Sequence, residues 1–307
     1  MLYRPFVCSK RKRDAYWALP LIGIGGLLSS PGNHRGFWRV CNQVARWTPP
    51  GAACVVELNQ GAYIQVSLDD PYWSRLLAKS YDHEPELHRG LKRLAGLDYT
   101  LIDCGANFGY WSILASSEAY GSKEVLAIEA APSTYQALVS NCGLNGNRFR
   151  CFHRAVTAVS GDRVAVRSES GHEGATITSE YTCRDATVET VSLNSFAERH
   201  LPDVSKRRPL LVKLDVEGQE INALKGAGPL LDWDIAFCYE DHGKDPDAKV
   251  TRFVLEDLGL SVMYLYPRGK QVTIRRVEDA LRVKRRRSHG YNFFAFRPET
   301  SFGQLLC

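Results

Sequence analysis

The stretch Leu101-Ile-Asp-Cys-Gly-Ala-Asn-Phe-Gly-Tyr-Trp111 constrains the fold more than any other part of the chain. Two apolar residues lead into Asp103, a glycine-containing loop follows, and an apolar run then begins at helical spacing. This is the pattern of a buried strand turning sharply into a helix in an open α/β sheet. Gly105 and Gly109 leave no Cβ where the backbone must turn and where a ligand has to approach closely. At 307 residues the chain can bury a core large enough for one α/β domain with an N-terminal extension.

Two ligand classes compete for such a loop. A dinucleotide needs its pyrophosphate held by backbone N–H groups, usually through Gly-x-Gly-x-x-Gly. Here the spacing is Gly-x-x-x-Gly, and Asp103 stands two residues before the first glycine. A carboxylate there repels a pyrophosphate and suits a ligand carrying an ammonium and a sulfonium, which describes S-adenosylmethionine. Glu129 closes the apolar run Val125-Leu126-Ala127-Ile128, which reads as the second strand, and an acid at that tip can accept both ribose hydroxyls.

The chain divides into an extension (1–53), a β-hairpin and helical segment (54–97) and the main domain (98–299). In the extension a basic run precedes the apolar stretch Ala15–Leu28, which is broken by Pro20, Gly23, Gly25 and Gly26. That outline also fits a signal peptide, but the run sits late, and it is too short and glycine-rich to span a bilayer as a helix. The reading favoured is packing on the domain or on a partner subunit of a homo-oligomer, ahead of membrane-surface contact. Alternation around Asn59-Gln60-Gly61 predicts a hairpin, and Leu87, Leu91 and Leu94 predict a helix with one apolar face. Later strands are expected at 149–156, 209–214, 235–239, 260–265 and 292–296, the last antiparallel. Residues 161–191 read as a β insertion over the cofactor cleft, with His172 and Glu173 in its loop as candidate substrate residues. Ala155, at the end of the third strand, is a candidate neighbour of the adenine ring.

Three segments carry a resemblance. Asp103-Cys-Gly-Ala-Asn-Phe-Gly-Tyr, Glu129-Ala-Ala-Pro-Ser and Lys213-Leu-Asp-Val-Glu-Gly-Gln-Glu, with Tyr81-Asp-His-Glu-Pro-Glu upstream, are similar to motifs of the FkbM family of S-adenosylmethionine-dependent methyltransferases. The resemblance covers roughly residues 54–297. It implies a Rossmann-like, seven-stranded class I methyltransferase sheet, mostly parallel with the last strand antiparallel. It also implies S-adenosylmethionine as methyl donor, methyl transfer to a hydroxyl oxygen, and a cap at 54–97 beside the donor site from which Glu84 could meet substrate. Cys104 stands where the family more often has an aliphatic residue. The donor-binding candidates are Asp103, Cys104, Gly105, Ala106, Asn107, Gly109, Tyr110, Glu129, Ala130, Ala155 and Asp215.

Methyl transfer from a sulfonium is an in-line displacement, and an alcohol needs a base at neutral pH. Strands four and five of an open sheet flank the binding crevice, so Asp215, Glu217, Glu240 and His242 are expected to converge near the transferred methyl. His242 titrates nearest pH 7 and is the expected base, with Asp215 orienting it. No zinc ligand set or disulfide framework is visible among nine cysteines, no metal is expected, and a reducing cytoplasm suits that usage. Net charge is +5, with basic runs at Lys10–Arg13, Lys206–Arg208 and Arg282–Arg287. Aromatics do not interleave with these runs, so nucleic acid is not the expected partner. The basic surface favours an acidic or phosphate-bearing saccharide. A nicotinamide-dependent oxidoreductase would use the same sheet, but Asp103 and the missing third glycine argue against it. An RNA methyltransferase would carry a base-gripping motif where this chain has Asp215-Val-Glu-Gly.

Overall fold

The computed structural model describes residues 36–48, 52–78, 81–167, 176–180, 186–201 and 208–306, with Arg4–Val7 and a few isolated positions. Most of the N-terminal extension, the basic run Lys10–Arg13, the loop with His172 and Glu173, and Lys206–Arg207 lie outside the described residues. The chain forms two compact units, Met1–His83 with Gly143–Asn147, and Glu84–Cys142 with Arg148–Cys307.

In the first unit, β1 (Arg4–Val7), β2 (Ala53–Asn59) and β3 (Ala62–Ser67) form an antiparallel sheet in that order. The β2–β3 turn is the expected hairpin, with Gly61 at φ +76°. Asp70 then starts a short 3₁₀ turn, Trp73–Leu77, by accepting the N–H groups of Tyr72 (2.9 Å) and Trp73 (2.6 Å).

The second unit begins at the helix Pro85–Arg93. Its strands are β4 (Thr100–Cys104), β5 (Glu124–Glu129), β6 (Arg150–His153), β7 (Ala155–Val156), β8 (Arg163–Arg167), β9 (Thr176–Thr178), β10 (Thr187–Val191), β11 (Leu210–Leu214), β12 (Ile235–Glu240), β13 (Ser261–Leu265), β14 (Gln271–Ile274) and β15 (Asn292–Phe296). The main sheet runs β14-β13-β15-β12-β11-β4-β5-β6. The five strands from β6 to β12 are parallel, and β15 runs antiparallel between β12 and β13. This is the expected seven-stranded arrangement with one further edge strand, β14. Its residues are mostly solvent-facing, so it carries little of the apolar pattern that marks a buried strand. The 161–191 segment, as far as it is described, contributes β8, β9 and β10 to a second sheet ordered β7-β10-β8-β9, with β7 from just after β6.

Helices cover both faces of a parallel sheet, so its strands read as nearly continuous apolar runs. β4 and β11 are buried at every position, and the polar residues inside them, Asp103 and Lys213, must therefore find partners. The strand register brings them together, because Lys213 lies opposite Asp103 in the β11–β4 ladder. Just past the end of β12, Asp241 and Lys284, both 1% exposed at the side chain, form a second buried ion pair. Asp241 also accepts the hydroxyl (2.6 Å) and N–H (3.1 Å) of Thr251.

Leu87 and Leu91 bury one face of the helix Pro85–Arg93, and Gly90 completes it against Phe294 of β15. A Cβ at Gly90 would sit 2.0 Å from Phe294 Cζ. Gly90→Ala should therefore destabilise the fold by about 1–3 kcal/mol through overpacking, although alanine is the better helix former by about 1 kcal/mol. Thermal denaturation reads the sign directly.

Candidate active site

The loop after β4 is held from below. The N–H groups of Gly105 and Ala106 both donate to Ile128 O of β5, each at 3.0 Å. Gly105 takes φ +72° and Gly109 φ +89°. A Cβ on Gly105 would lie 1.8 Å from the backbone oxygen of Asp215, so only glycine lets the loop pass under the end of β11. Asn107, also left-handed at φ 52°, donates its N–H to Glu129 Oε2 at 2.9 Å. Glu129 Oε1 accepts the N–H of Ala131 at 2.8 Å. The carboxyl at the tip of β5 is thus fixed by backbone donors with lone pairs to spare. Burial raises its pKa, and those backbone hydrogen bonds offset the rise.

Asp103 is 1% exposed. Its Oδ2 accepts the hydroxyl of Ser112 at 2.6 Å, while Oδ1 has no hydrogen bond and faces Lys213 Nζ at 3.7 Å. Lys213 Nζ also lies 3.2 Å from Asp215 Oδ2. Burial on its own would lower the pKa of Lys213, but the charges of Asp215, Asp103 and Glu84 outweigh it and raise the value. The lysine stays charged. Sequence reading used Lys213 only as part of a motif. A lone lysine inside the apolar run Leu210–Leu214 was the signal available for its role.

Asp215 and Glu240 each continue a strand past the neighbouring residue pair Leu214–Tyr239, which sets them side by side at the sheet edge. Burial pushes the Glu240 carboxyl well above the usual range, and the charges of Asp215, Glu84 and Glu217 push it further. Glu240 is packed beneath Gly290, where a Cβ would lie 1.5 Å from Glu240 Oε1. Glu84, left-handed at φ 46°, accepts the indole N–H of Trp111 at 2.6 Å. Its pKa is raised by burial, an effect opposed by the charge of Lys213 and by hydrogen bonds from Trp111 and Asn292. The carboxamide of Asn292 also donates to Glu86 Oε1 at 3.2 Å. Trp111, Asn292, Ser112 and Lys213 are the site residues that sequence reading did not single out.

The structure thus brings Asp103, Lys213, Asp215, Glu240 and Glu84 together at the carboxyl edge of the sheet, with the Gly105–Gly109 loop and Glu129 beside them. Glu217 stands on the exposed turn after β11 at φ 49°. Cys104 is buried, and its carbonyl accepts the N–H of Asp215 at 3.2 Å. Ala106 and Ala155 are buried as well, Ala155 within β7, while Ala130 is half-buried and its carbonyl faces His153 Nε2 at 3.0 Å.

Two expectations are corrected. Tyr110 is 1% exposed, and its hydroxyl bonds His88 Nε2 at 2.8 Å while His88 Nδ1 meets Tyr120. Its side chain is spent on that buried chain, which leaves only its backbone for a ligand at the loop. His242 accepts the N–H of Lys244 at Nδ1, 3.0 Å away. In the neutral ring the proton is then on Nε2, so the free nitrogen is a donor and not a base. Burial and the positive charges of Lys244, Lys284 and His289 lower its pKa, which keeps that neutral form.

An open sheet of this order, with a glycine loop after its central strand and an acid at the tip of the next, is a class I methyltransferase fold. The profile described as Methyltransferase FkbM domain matches residues 103–291, and the chain belongs to this family. No curated protein matches the chain. Among solved structures it is similar to methyltransferase FkbM from Methylobacillus flagellatus KT, at 14% identity and TM-score 0.39, over 69% of this chain and 50% of that one. This chain therefore spans half the length of that protein. It is also similar to precorrin-6y C5,15-methyltransferase from Geobacter metallireducens GS-15 (14% identity, TM-score 0.38, 68% of this chain and 86% of that one). A third similar structure is TYW2 of P. horikoshii in complex with MeSAdo (13% identity, TM-score 0.38, 88% and 85%). Family membership rests on the domain match and not on these superpositions.

The cofactor of this domain is S-adenosylmethionine. The residues present fit it: a cradle at Gly105 that a Cβ would fill, a carboxyl at Glu129 fixed by backbone donors, and a buried Asp103 oxygen without a hydrogen bond. Gly105→Ala forces both a left-handed alanine and a clash with Asp215 O. Strain of about 1–3 kcal/mol at such a position corresponds to roughly five- to hundredfold weaker binding. Calorimetric titration with S-adenosylhomocysteine should show that loss.

Proposed function

We propose that this protein is an S-adenosylmethionine-dependent O-methyltransferase acting on a hydroxyl of a saccharide, glycolipid or related secondary metabolite, with Asp215 as its base. The observation that carries this reading is the half-buried Asp215 carboxylate at the sheet edge, held 3.2 Å from Lys213 Nζ and next to Glu240 on the adjacent strand. When bound, the donor supplies an electrophilic methyl on a sulfonium. Asp215 accepts the proton of the acceptor hydroxyl as the oxygen attacks, and positioned proton transfer of this kind contributes about 10²–10⁴-fold. Glu240, pushed toward its neutral form by burial and by the charges around it, lies beside Asp215, and Lys213 holds the Asp215 carboxylate in place. A carboxylate accepts hydrogen bonds from hydroxyls, so the exposed Glu217 suits a polyhydroxylated acceptor. The described cysteines are all free thiols, which supports a reducing cytoplasm as the compartment. Among the described residues no helix is long and apolar enough to cross a membrane.

Asp215→Asn should lower turnover at saturating donor by about 10²–10⁴-fold, while His242→Ala should leave it nearly unchanged. If His242→Ala is as damaging as Asp215→Asn, the base is the histidine.

Glu240 also makes a pH prediction. Folding raises its pKa above the unfolded value, so folding favours the neutral form. The stability this contributes is full below the ordinary glutamate pKa and is lost as pH rises through the raised one. Glu240→Gln stays neutral at every pH and keeps the shape of the side chain. Its melting temperature relative to the parent protein should therefore climb as pH is raised from the ordinary glutamate range, and a pH-independent difference would contradict the assignment.

A further inference from the structure

A cavity of about 640 Å³ opens along β6, the unpaired edge of the main sheet, and contains neither the glycine loop nor Glu129 nor Asp215. That is within the ordinary size for small-ligand sites. Its floor is Cys151–Arg154 of β6 and the residue after it, one wall is Tyr135, and the other is the helix Leu193–His200. The ends of β10 and the turn Ser160–Gly161 close it.

Three features define what it can hold. The first is aromatic surface. Tyr135 stacks on His153 (centroids 4.8 Å apart, planes at 21°), and Phe152 and His200 cluster on the buried Phe196 with centroids 4.5–4.9 Å apart. Flat or ring-shaped bodies bind such faces. The second is positive charge. Arg150, Arg154 and Arg199 surround His200, and after burial their charges are what lower its pKa. Two of the three are balanced, Arg150 by Glu124 (2.9 Å) and Arg154 by Glu189 (3.4 Å). Arg199, exposed on the helix, makes no ion pair among the described residues. The third is acceptor capacity. Ala130 O can only accept, so Nε2 of His153 carries a proton, and in the neutral ring Nδ1 has a lone pair. A ligand hydroxyl can donate to that nitrogen.

We propose that this cavity binds a phosphorylated, hydroxyl-bearing ring, a sugar phosphate or a nucleotide, with the phosphate on Arg199 and the ring against the aromatic walls. A guanidinium is matched to phosphate geometry, and a ring that stacks while donating a hydroxyl accounts for the other two features. The site stands apart from the methyl-transfer reading and is tested without turnover.

The full-length protein, with and without saturating S-adenosylhomocysteine, is titrated with inorganic phosphate, a hexose phosphate, uridine monophosphate and unphosphorylated hexose. Binding is followed by calorimetry and by the NMR titration of His200. A ring-bearing phosphate should bind more tightly than inorganic phosphate, raise the pKa of His200 by offsetting the arginines, and lose roughly ten- to hundredfold in affinity in Arg199→Ala, the range for a hydrogen bond to a charged group. Tighter binding of the hexose phosphate or of the nucleotide identifies the ring. Equal affinity for inorganic phosphate would mean a non-specific anion site and would overturn the proposal. So would binding that ignores Arg199→Ala or leaves His200 unmoved, or no binding by any phosphate.

Discussion

The charge on Lys213 is the constraint around which the carboxyl edge of this sheet is arranged. Its ammonium lies in a strand buried on both faces, where an unpaired ion costs several kcal/mol after relaxation. Parallel register gives it Asp103 on the neighbouring strand, and the chain two residues on gives it Asp215. Glu84 joins from the start of the helix Pro85–Arg93, and Glu240 meets the group through Asp215. One cation among four acids leaves an excess of negative charge. Part of that excess is removed by protons, since Glu240 and Glu84 are both pushed toward their neutral forms. The remainder suits a methyl donor that is itself a cation.

The glycine loop depends on the same edge. Asp215 supplies a carboxylate to Lys213 with its side chain and a ceiling to Gly105 with its backbone oxygen. Its N–H is tied to Cys104 O at the end of β4. Moving β11 by a fraction of an ångström would therefore alter the ion cluster and the ligand loop together. Glu220 fixes the other side of the turn, accepting the N–H groups of Val216 (3.1 Å) and Gly218 (3.2 Å) with one carboxyl oxygen. In Asp215-Val-Glu-Gly-Gln-Glu, then, the first acid pairs with Lys213 and the last holds the backbone.

Much of this was legible in the sequence, and the rest was hidden for identifiable reasons. Continuous apolar runs marked β4, β5, β11 and β12, and the glycine spacing with Asp103 and Glu129 marked the loop and its ligand class. β14 escaped because a short edge strand faces solvent and shows no sustained pattern. The role of Lys213 depends on cross-strand register, which no local window contains. His242 was chosen for its intrinsic pKa, but its proton position is set by one backbone N–H two residues away. The cavity along β6 draws its arginines from positions 150, 154 and 199, so no run of basic residues announced it, whereas the runs that did stand out include Arg208 and Arg282, which are paired with acids.

Charge is therefore sorted across the sheet, with acids at the β4–β11–β12 edge and guanidinium groups along β6. Two strand spacings, about 10 Å, separate β4 from β6, so the acids and the guanidinium groups occupy different parts of the sheet. A phosphate group would be repelled from the acid cluster that holds Lys213 and drawn to Arg199, whereas a sulfonium would be drawn the other way. The chain thus discriminates between an anionic ring and a cationic methyl donor by position on one sheet, and neither site needs to exclude the other's ligand by shape.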